Sequence, residues 1–283
     1  SSVRVKNQKL ARLPLSVKIK KSELCPRYTA ILLEILTVKA SPEWIRRRLS
    51  TCGIRSINLI VDVTNYVMLE TGQPLHAFDF EKIKAGEITV RESEREETIT
   101  TLDGTTHILP EGAIVIQDKE RIIDLAGIMG GENSAVSQST KKILLQAAVF
   151  NPEKIYAATR ILHISSAASK LYSAGVDPNQ TIHAIESAVA LLATENAAVK
   201  KHTIIDIYPK RVVPKKILFH PSHADSIIGI HLKKMQYQNI FKMYGWKTSA
   251  KKEDLLVEAP TYRRDLAIEE DLVEEIARRT GYD

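Results

Sequence analysis

Four stretches of this 283-residue chain carry side chains able to do chemistry. The first, "VDVTNYVMLETGQPLHAFDF" (61–80), holds Asn65 and His76. Gly72 and Pro74 punctuate it, so His76 is expected on a stiff loop leaving an apolar, strand-like run at "NLIVDVTNYVML". An imidazole fixed there is a catalytic base, a ligand-reading group or a packed side chain. The second, "GIMGGENSAV" (127–136), has Gly127, Gly130 and Gly131 followed at once by Glu132. Glycines let backbone approach a ligand and expose amide donors; the same pattern also makes a plain turn with a solvated acid. The third, "HISSAAS" (163–169), offers small residues that leave room for a docking group or form a packing seam. The fourth, "RRDLAIEEDLVEEIARR" (263–279), places Asp271, Glu274 and Glu275 at i, i+3 and i+4, hence on one face of a helix. A cation would relieve that clustering, as would the positive end of the helix dipole.

Other chemistries lack their residues. The chain has no G-x-S-x-G, P-loop, strand-bound G-x-G-x-x-G or H-E-x-x-H. A hydrolytic site here must position water without a protein nucleophile.

The elements that would carry these groups read as α+β. Extended segments dominate to residue 150: "RYTAILLEILTV", "EITVRE", "AIVIQD", "IIDLAGIM" and "KILLQAAVF". One early helix is marked at "SPEWIRRRLSTCG", with Ser41 as N-cap, Pro42 in the first turn and Gly53 beyond the end. Helices return at "NPEKIYAATRIL" and "TIHAIESAVALLATENA", the latter amphipathic through Ile182, Ile185, Val189 and Leu192. At "DIYPKRVVPKK" two prolines and four cations break the pattern, which places a domain boundary there. Three short helices and a strand at "DLLVEAP" follow, a winged-helix-like grammar. Runs of strands and helices without strict alternation favour a mixed sheet or sandwich with packed helices over a doubly wound fold.

At 44% hydrophobic and 26% charged, the composition is that of an ordinary soluble globular protein, with length for two cores. No stretch approaches about 18 consecutive apolar residues, which argues against a membrane partner. Cys25 and Cys52 are too few for a disulfide framework or zinc site, so a reducing, cytoplasmic setting is the default. Net charge is +6, and residues 1–21 alone hold seven Lys and Arg with no acid. That basic segment suits either phosphate contact or a solvated linker. The chain starts without Met and reads as the interior of a longer polypeptide.

In order and spacing, "ELCPRYTA", "SPEWIRRRL", "VDVTNYVMLETGQPLHAFD", "GIMGGEN" and "GVDP" resemble the editing domain of bacterial phenylalanine–tRNA ligase beta subunits. "APTYRRDLAIEEDLVEEIARRTGYD" resembles the small domain that follows it. The resemblance covers roughly residues 15–283. It implies a basic linker at 1–20, an editing domain at 21–208 and a small winged-helix-like domain at 211–283. It implies an α2β2 enzyme that uses ATP to attach phenylalanine to tRNA(Phe). The alpha subunit would carry the aminoacylation site, this part would bind no ATP, and DNA is not a partner.

The editing activity implied is hydrolysis of mischarged tyrosyl-tRNA(Phe). The family's pocket maps onto His76, Asn65, Glu132, Ser166 and Ala168, within reach of the Gly130–Gly131 backbone. Glu132 would accept the tyrosine hydroxyl, His76 would orient the tRNA-linked end or a water, and Ala168 would leave room for the ring. Magnesium, shared with the alpha subunit, would sit at Asp265, Asp271, Glu274 and Glu275, oxygen ligands suited to a hard cation. Two departures stand out. Ser166 replaces the usual Thr, and "LYSA" (Leu171, Tyr172, Ser173, Ala174) replaces an Arg-aromatic-Glu-Arg pattern. The alternative reading is therefore a non-catalytic, tRNA-binding scaffold with a degenerate pocket.

Overall fold

The apolar run before His76 is a helix, Leu59–Thr71, where β-branched residues suggested a strand. Its buried positions, Leu59, Ile60, Val63, Thr64, Val67 and Met68, recur at helical spacing. Asn58 caps the start by accepting from Val61 N at 3.0 Å, and Gly72, at φ +72°, ends it in the left-handed conformation that favours glycine. The expected loop at 72–80 is correspondingly short. Residues 75–79 continue as a strand, so His76 sits on a sheet.

The computed structural model describes residues 15–281, and the chain divides into two units between Lys210 and Arg211. In chain order the first unit comprises β1 (Ser16–Ile19), β2 (Arg27–Ile35), α1 (Glu43–Thr51), α2 (Leu59–Thr71), β3 (Leu75–Asp79), β4 (Glu87–Glu92), β5 (Thr98–Thr100) and β6 (Thr106–Ile108). It continues through β7 (Ile114–Gln117), β8 (Ile122–Leu125), β9 (Met129–Gly130), β10 (Lys142–Val149), α3 (Pro152–Leu162), α4 (Ala167–Ala174), α5 (Thr181–Thr194), β11 (Ala198–Lys201) and β12 (Ile205–Ile207). One sheet runs β1-β4-β7-β8-β9. A second runs β11-β2-β10-β3, with β12 also on β2.

Strand alternation divides the apolar residues between two cores. Tyr28, Ala30, Leu144 and Ala148 join the first sheet's Val90, Val115, Ile116 and Ile123. Ile31, Leu33, Ile143 and Leu145 instead meet helix residues such as Ile45, Val63, Ile185 and Leu192. The second sheet is thus covered on both faces, which explains why "KILLQAAVF" is buried almost throughout. Ser41, expected as the N-cap of α1, lies one residue too early, because Pro42 is the cap. The Ser41 hydroxyl instead donates to Asp62 at 2.5 Å. Asp62 also accepts from Ser56 Oγ at 2.5 Å and Ile57 N at 2.8 Å. Three donors on one buried carboxylate fix the α1–α2 connection.

Of the basic segment, residues 1–14, with Arg4, Lys6, Lys9 and Arg12, lie outside the described residues. Lys18 sits on β1, and Lys21 pairs with Glu92 at 2.5 Å. Cys25 is a buried free thiol and Cys52 an exposed one. Among the described residues no helix is long and apolar enough to cross a membrane.

The second unit holds β13 (Lys215–Phe219), α6 (Pro221–Ile228), α7 (Lys234–Met243), β14 (Lys247–Lys251), β15 (Asp254–Ala259) and α8 (Glu269–Thr280). Its antiparallel sheet runs β13-β15-β14. The core is aromatic, with Phe219 edge-on to Tyr237 and Phe241 at ring distances of 5.0 and 5.2 Å. The molecule is a mixed α+β protein.

Candidate functional site

A cavity of about 390 Å³ opens in the first unit, walled by both sheets and by α2 and α4. His76 reaches it from β3, where it lies opposite Gln146 of β10. The imidazole makes no hydrogen bond among the described residues. It meets the Phe78 ring edge-on with centroids 4.4 Å apart. Burial pushes its pKa down to about 4, so the ring is neutral at pH 7.

Gly130 faces it from β9. A Cβ there would stand 2.6 Å from His76 Cε1 and 2.9 Å from Nε2, so only glycine lets strand and imidazole approach this closely. Asn65 lines the cavity from α2, its amide without a hydrogen bond among the described residues. The geometry therefore gathers His76, Asn65, Gly130, Ser166 and Ala168 from three distant parts of the chain.

Ser166 has a second task. As N-cap of α4, its hydroxyl accepts from Ser169 N at 3.0 Å and donates to Ile128 O at 2.9 Å. Ser169 Oγ returns the contact by accepting from Ser166 N at 2.9 Å. This capping box ties α4 to the residues before β9. The small residues are both seam and wall.

Two expectations need correction. Glu132 does not line this cavity. Beyond β9 the chain turns through Glu132–Ser134, and Ser134 Oγ and Asn133 Nδ2 donate to the carbonyls of Ile123 and Ile122, each at 2.9 Å. That turn carries Glu132 to an exposed hollow shared with Thr98, Thr100 and Arg121. Gly131 is outside the cavity as well. Its N–H donates to Ile123 O at 3.0 Å, and an added Cβ would strike that carbonyl oxygen at 2.7 Å. Its role is to close the backbone.

The cavity holds polar residues that sequence reading missed. Gln146 is 3% exposed, and its Oε1 has no hydrogen-bond partner. Asp124 on β8 is 4% exposed and has neither hydrogen bond nor ion pair among the described residues. Burial alone lifts its pKa to about 8. Tyr172 completes the wall, its hydroxyl donating to Ala148 O at 3.1 Å while its ring tilts against Phe150 at 5.1 Å. A signal for the first two existed: each interrupts an apolar run, in "ILLQAAV" and "IIDL", and buried polar groups need a reason. Within "LYSA" it is Tyr172, at the aromatic position of the replaced pattern, that lines the cavity.

In the second unit three of the four expected magnesium ligands gather around two arginines, Arg263 and Arg278, and Asp271 turns to backbone donors. Asp265 pairs with Arg263 at 2.6 Å, and Glu274 with Arg278 at 2.8 Å. Buried Glu275 pairs with Arg263 at 2.7 Å. Asp271 accepts from Ala267 N and Ile268 N at 2.7 and 2.9 Å, which closes the start of α8. The i, i+3, i+4 spacing is present, yet Glu275 turns to the core while Glu274 faces out. Among the described residues no group of three or more such side chains could hold a metal. As arranged, the carboxylates are engaged by guanidinium and backbone partners.

Comparison with known proteins follows the same division. Residues 24–196 match the B3/4 domain and residues 217–282 the tRNA synthetase B5 domain. The phenylalanine–tRNA ligase beta subunit of Carboxydothermus hydrogenoformans is 40% identical over 95% of this chain and 34% of its own length. That of Desulfotalea psychrophila is 42% identical over 95% of this chain and 33% of its own. The chain thus spans about a third of the curated relatives it matches. An N-terminal fragment of the Pyrococcus horikoshii phenylalanyl-tRNA synthetase beta subunit aligns over 98% of this chain and 78% of its own, with TM-score 0.47 and 14% identity. The chain belongs to the B3/4 domain family, carries a tRNA synthetase B5 domain behind it, and is similar along nearly its whole length to phenylalanine–tRNA ligase beta subunits.

Proposed function

We propose that the first unit hydrolyses the ester joining misattached tyrosine to tRNA(Phe), as the editing site of a phenylalanine–tRNA ligase beta subunit. The observation that carries this reading is the meeting of His76, Asn65, Gly130, Ser166 and Ala168 around one cavity. Its size, about 390 Å³, lies within the range of small-molecule sites, about 300–1,000 Å³. The need is physical. Tyrosine and phenylalanine differ by one hydroxyl, and an apolar synthetic pocket rejects such an addition by only about a hundredfold. A second site that reads the hydroxyl supplies the missing discrimination.

The residues imply a mechanism of positioning. A neutral imidazole offers one donor and one acceptor nitrogen. With a pKa near 4, His76 is too weak a base to take a proton outright at pH 7, so it orients an attacking water or the ribose end of the ester. The ester is already activated, and orientation supplies much of the acceleration such a reaction needs. Asn65 offers its unengaged amide to the same group. Since Glu132 lies elsewhere, the tyrosine hydroxyl must be read by polar groups inside the cavity.

In the whole enzyme an alpha subunit would carry ATP-dependent aminoacylation, and tRNA(Phe) would deliver its end to this cavity in the cytoplasm. Magnesium would require Asp265, Asp271, Glu274 and Glu275 to exchange their present partners, and no step of the editing reaction passes through them. The outward placement of Glu132 favours one rival, a tRNA-binding scaffold without hydrolysis. The deciding test incubates the purified chain with tyrosyl-tRNA(Phe) and phenylalanyl-tRNA(Phe). Faster loss of the tyrosyl ester, slowed about tenfold or more in His76→Ala, is expected. No loss above buffer, with RNA still bound, selects the scaffold.

A further inference from the structure

The polar residues at the inner wall of the cavity are the feature that the editing residues leave unexplained. Asp124 and Gly130 are direct partners across the β8–β9 ladder, so their side-chain directions share one face of the sheet. At Gly130 that direction leads straight to the His76 ring. Asp124 therefore looks across the same gap, toward the sheet that carries His76 and, opposite it, Gln146. Both Asp124 and Gln146 line the cavity. A buried carboxyl and a buried amide oxygen, each without a hydrogen-bond partner among the described residues, are costly to leave bare. Two such groups facing one space describe a receptor for something that both accepts and donates.

We propose that Asp124 is a specificity-determining residue: its carboxyl donates a hydrogen bond to a hydroxyl on the ligand's ring, whose own O–H is accepted by Gln146 Oε1. This rests on the editing reading and names the groups that replace Glu132 in it. Burial supports the assignment, since a carboxyl whose pKa is lifted to about 8 keeps its proton at pH 7. With His76 neutral too, the inner cavity carries no formal charge from either group. It suits an uncharged phenol and disfavours the ammonium or carboxylate end of a free amino acid. A phenyl ring would leave both wall groups bare. An O-methyl phenol could accept from Asp124 but not donate to Gln146.

The test is calorimetric binding of non-hydrolysable tyrosyl, phenylalanyl and O-methyltyrosyl adenosine amides to this chain, with thermal melting to confirm folding. The wild-type chain is expected to prefer tyrosyl over both others by about tenfold or more. Asp124→Leu should bring tyrosyl down to the phenylalanyl level and leave phenylalanyl unchanged. Asp124→Asn, which still donates and accepts, should stay within about threefold of wild type. An Asp124→Leu protein that keeps the full preference overturns the proposal. A wild-type chain that binds all three amides equally, or none, overturns the editing reading and this one with it.

A second readout does not depend on the Leu variant folding. Between pH 6.5 and 9 the tyrosyl-over-phenylalanyl ratio should change in wild type, as Asp124 loses its proton and turns from donor to acceptor, and stay flat in Asp124→Asn. The other titratable groups around it are His76 on β3, Tyr172 on α4, Tyr28 on β2 and Cys25 just before β2. His76 titrates near 4, Cys25 is pushed up to about 12, and both tyrosines are pushed above their usual range, so none changes charge in this window. A flat wild-type ratio also rejects the assignment.

Discussion

Replacing Gly130 by alanine should damage the site while leaving the fold standing. The backbone tolerates the change, because Gly130 is a strand residue without positive φ. The obstacle is steric. The new methyl would lie 2.6 Å from His76 Cε1 and 3.2 Å from Leu102 Cδ1. Carbon contacts are comfortable from about 3.5 Å, so the imidazole must yield about 0.9 Å. It has little room, since the Phe78 ring already stands edge-on at 4.4 Å. Overpacking of this kind costs about 1–3 kcal/mol, and the lower chain entropy of alanine returns about 0.4–1. A net loss of about 1–2 kcal/mol should appear as a modest fall in the melting temperature. A displacement near 1 Å in an orienting group costs far more in rate, about a hundredfold. The assay is tyrosyl-tRNA(Phe) hydrolysis alongside thermal melting, with Gly131→Ala as control. In the control the methyl meets the Ile123 carbonyl oxygen at 2.7 Å, a backbone atom that cannot swing aside. Gly131→Ala should therefore lose more stability, and Gly130→Ala more rate per unit of stability lost. Unchanged hydrolysis in Gly130→Ala would refute the close approach of strand and imidazole.

Glu132→Ala tests the correction to the expected site. With its side chain exposed outside the cavity, the variant should hydrolyse tyrosyl-tRNA(Phe) within about threefold of wild type and melt within about 0.5 kcal/mol of it; a hundredfold loss would restore the original assignment. His76 predicts a pH dependence of stability. Its folded pKa of about 4 lies below the ordinary 6.5, so its contribution is fully present above pH 6.5 and lost as pH falls through 4. The loss amounts to at most about 3 kcal/mol. His76→Gln should therefore narrow the difference between melts at pH 7 and pH 4, the carboxylates being common to both proteins; equal losses would show that the imidazole is not buried.

Some of this molecule could be read from local pattern. The strands at "RYTAILLEI", "EITVRE" and "KILLQAAV" follow from apolar, β-branched runs. The helices at Pro152–Leu162 and Thr181–Thr194 follow from capping and amphipathic spacing. Leu59–Thr71 misled because Val61, Val63 and Val67 favour strands by propensity, while the buried spacing and the Asn58 and Gly72 caps favour a helix. Burial against the sheet settled the conflict. The candidate site residues divide in the same way. His76, Asn65, Gly130, Ser166 and Ala168 stand in stretches whose residue types drew attention, and the family resemblance named them together.

Sequence alone determined which residue types were available: an imidazole, glycines that permit close backbone approach, a small-residue seam and an acidic helix. Tertiary structure decided which of them share a space. Glu132 adjoins the glycines in the chain, yet one turn of backbone carries it out of the cavity. Asp124 and Gln146 belong to different sheets, and only the packing of those sheets brings them to a common cavity. Asp271, Glu274 and Glu275 keep their helical spacing, but backbone donors take up Asp271 while arginines hold Glu274 and Glu275. The physical reason is that pattern and propensity act over a few residues. Which side of a turn faces inward, and which carboxyl loses its water, are settled by contacts between segments far apart in the chain.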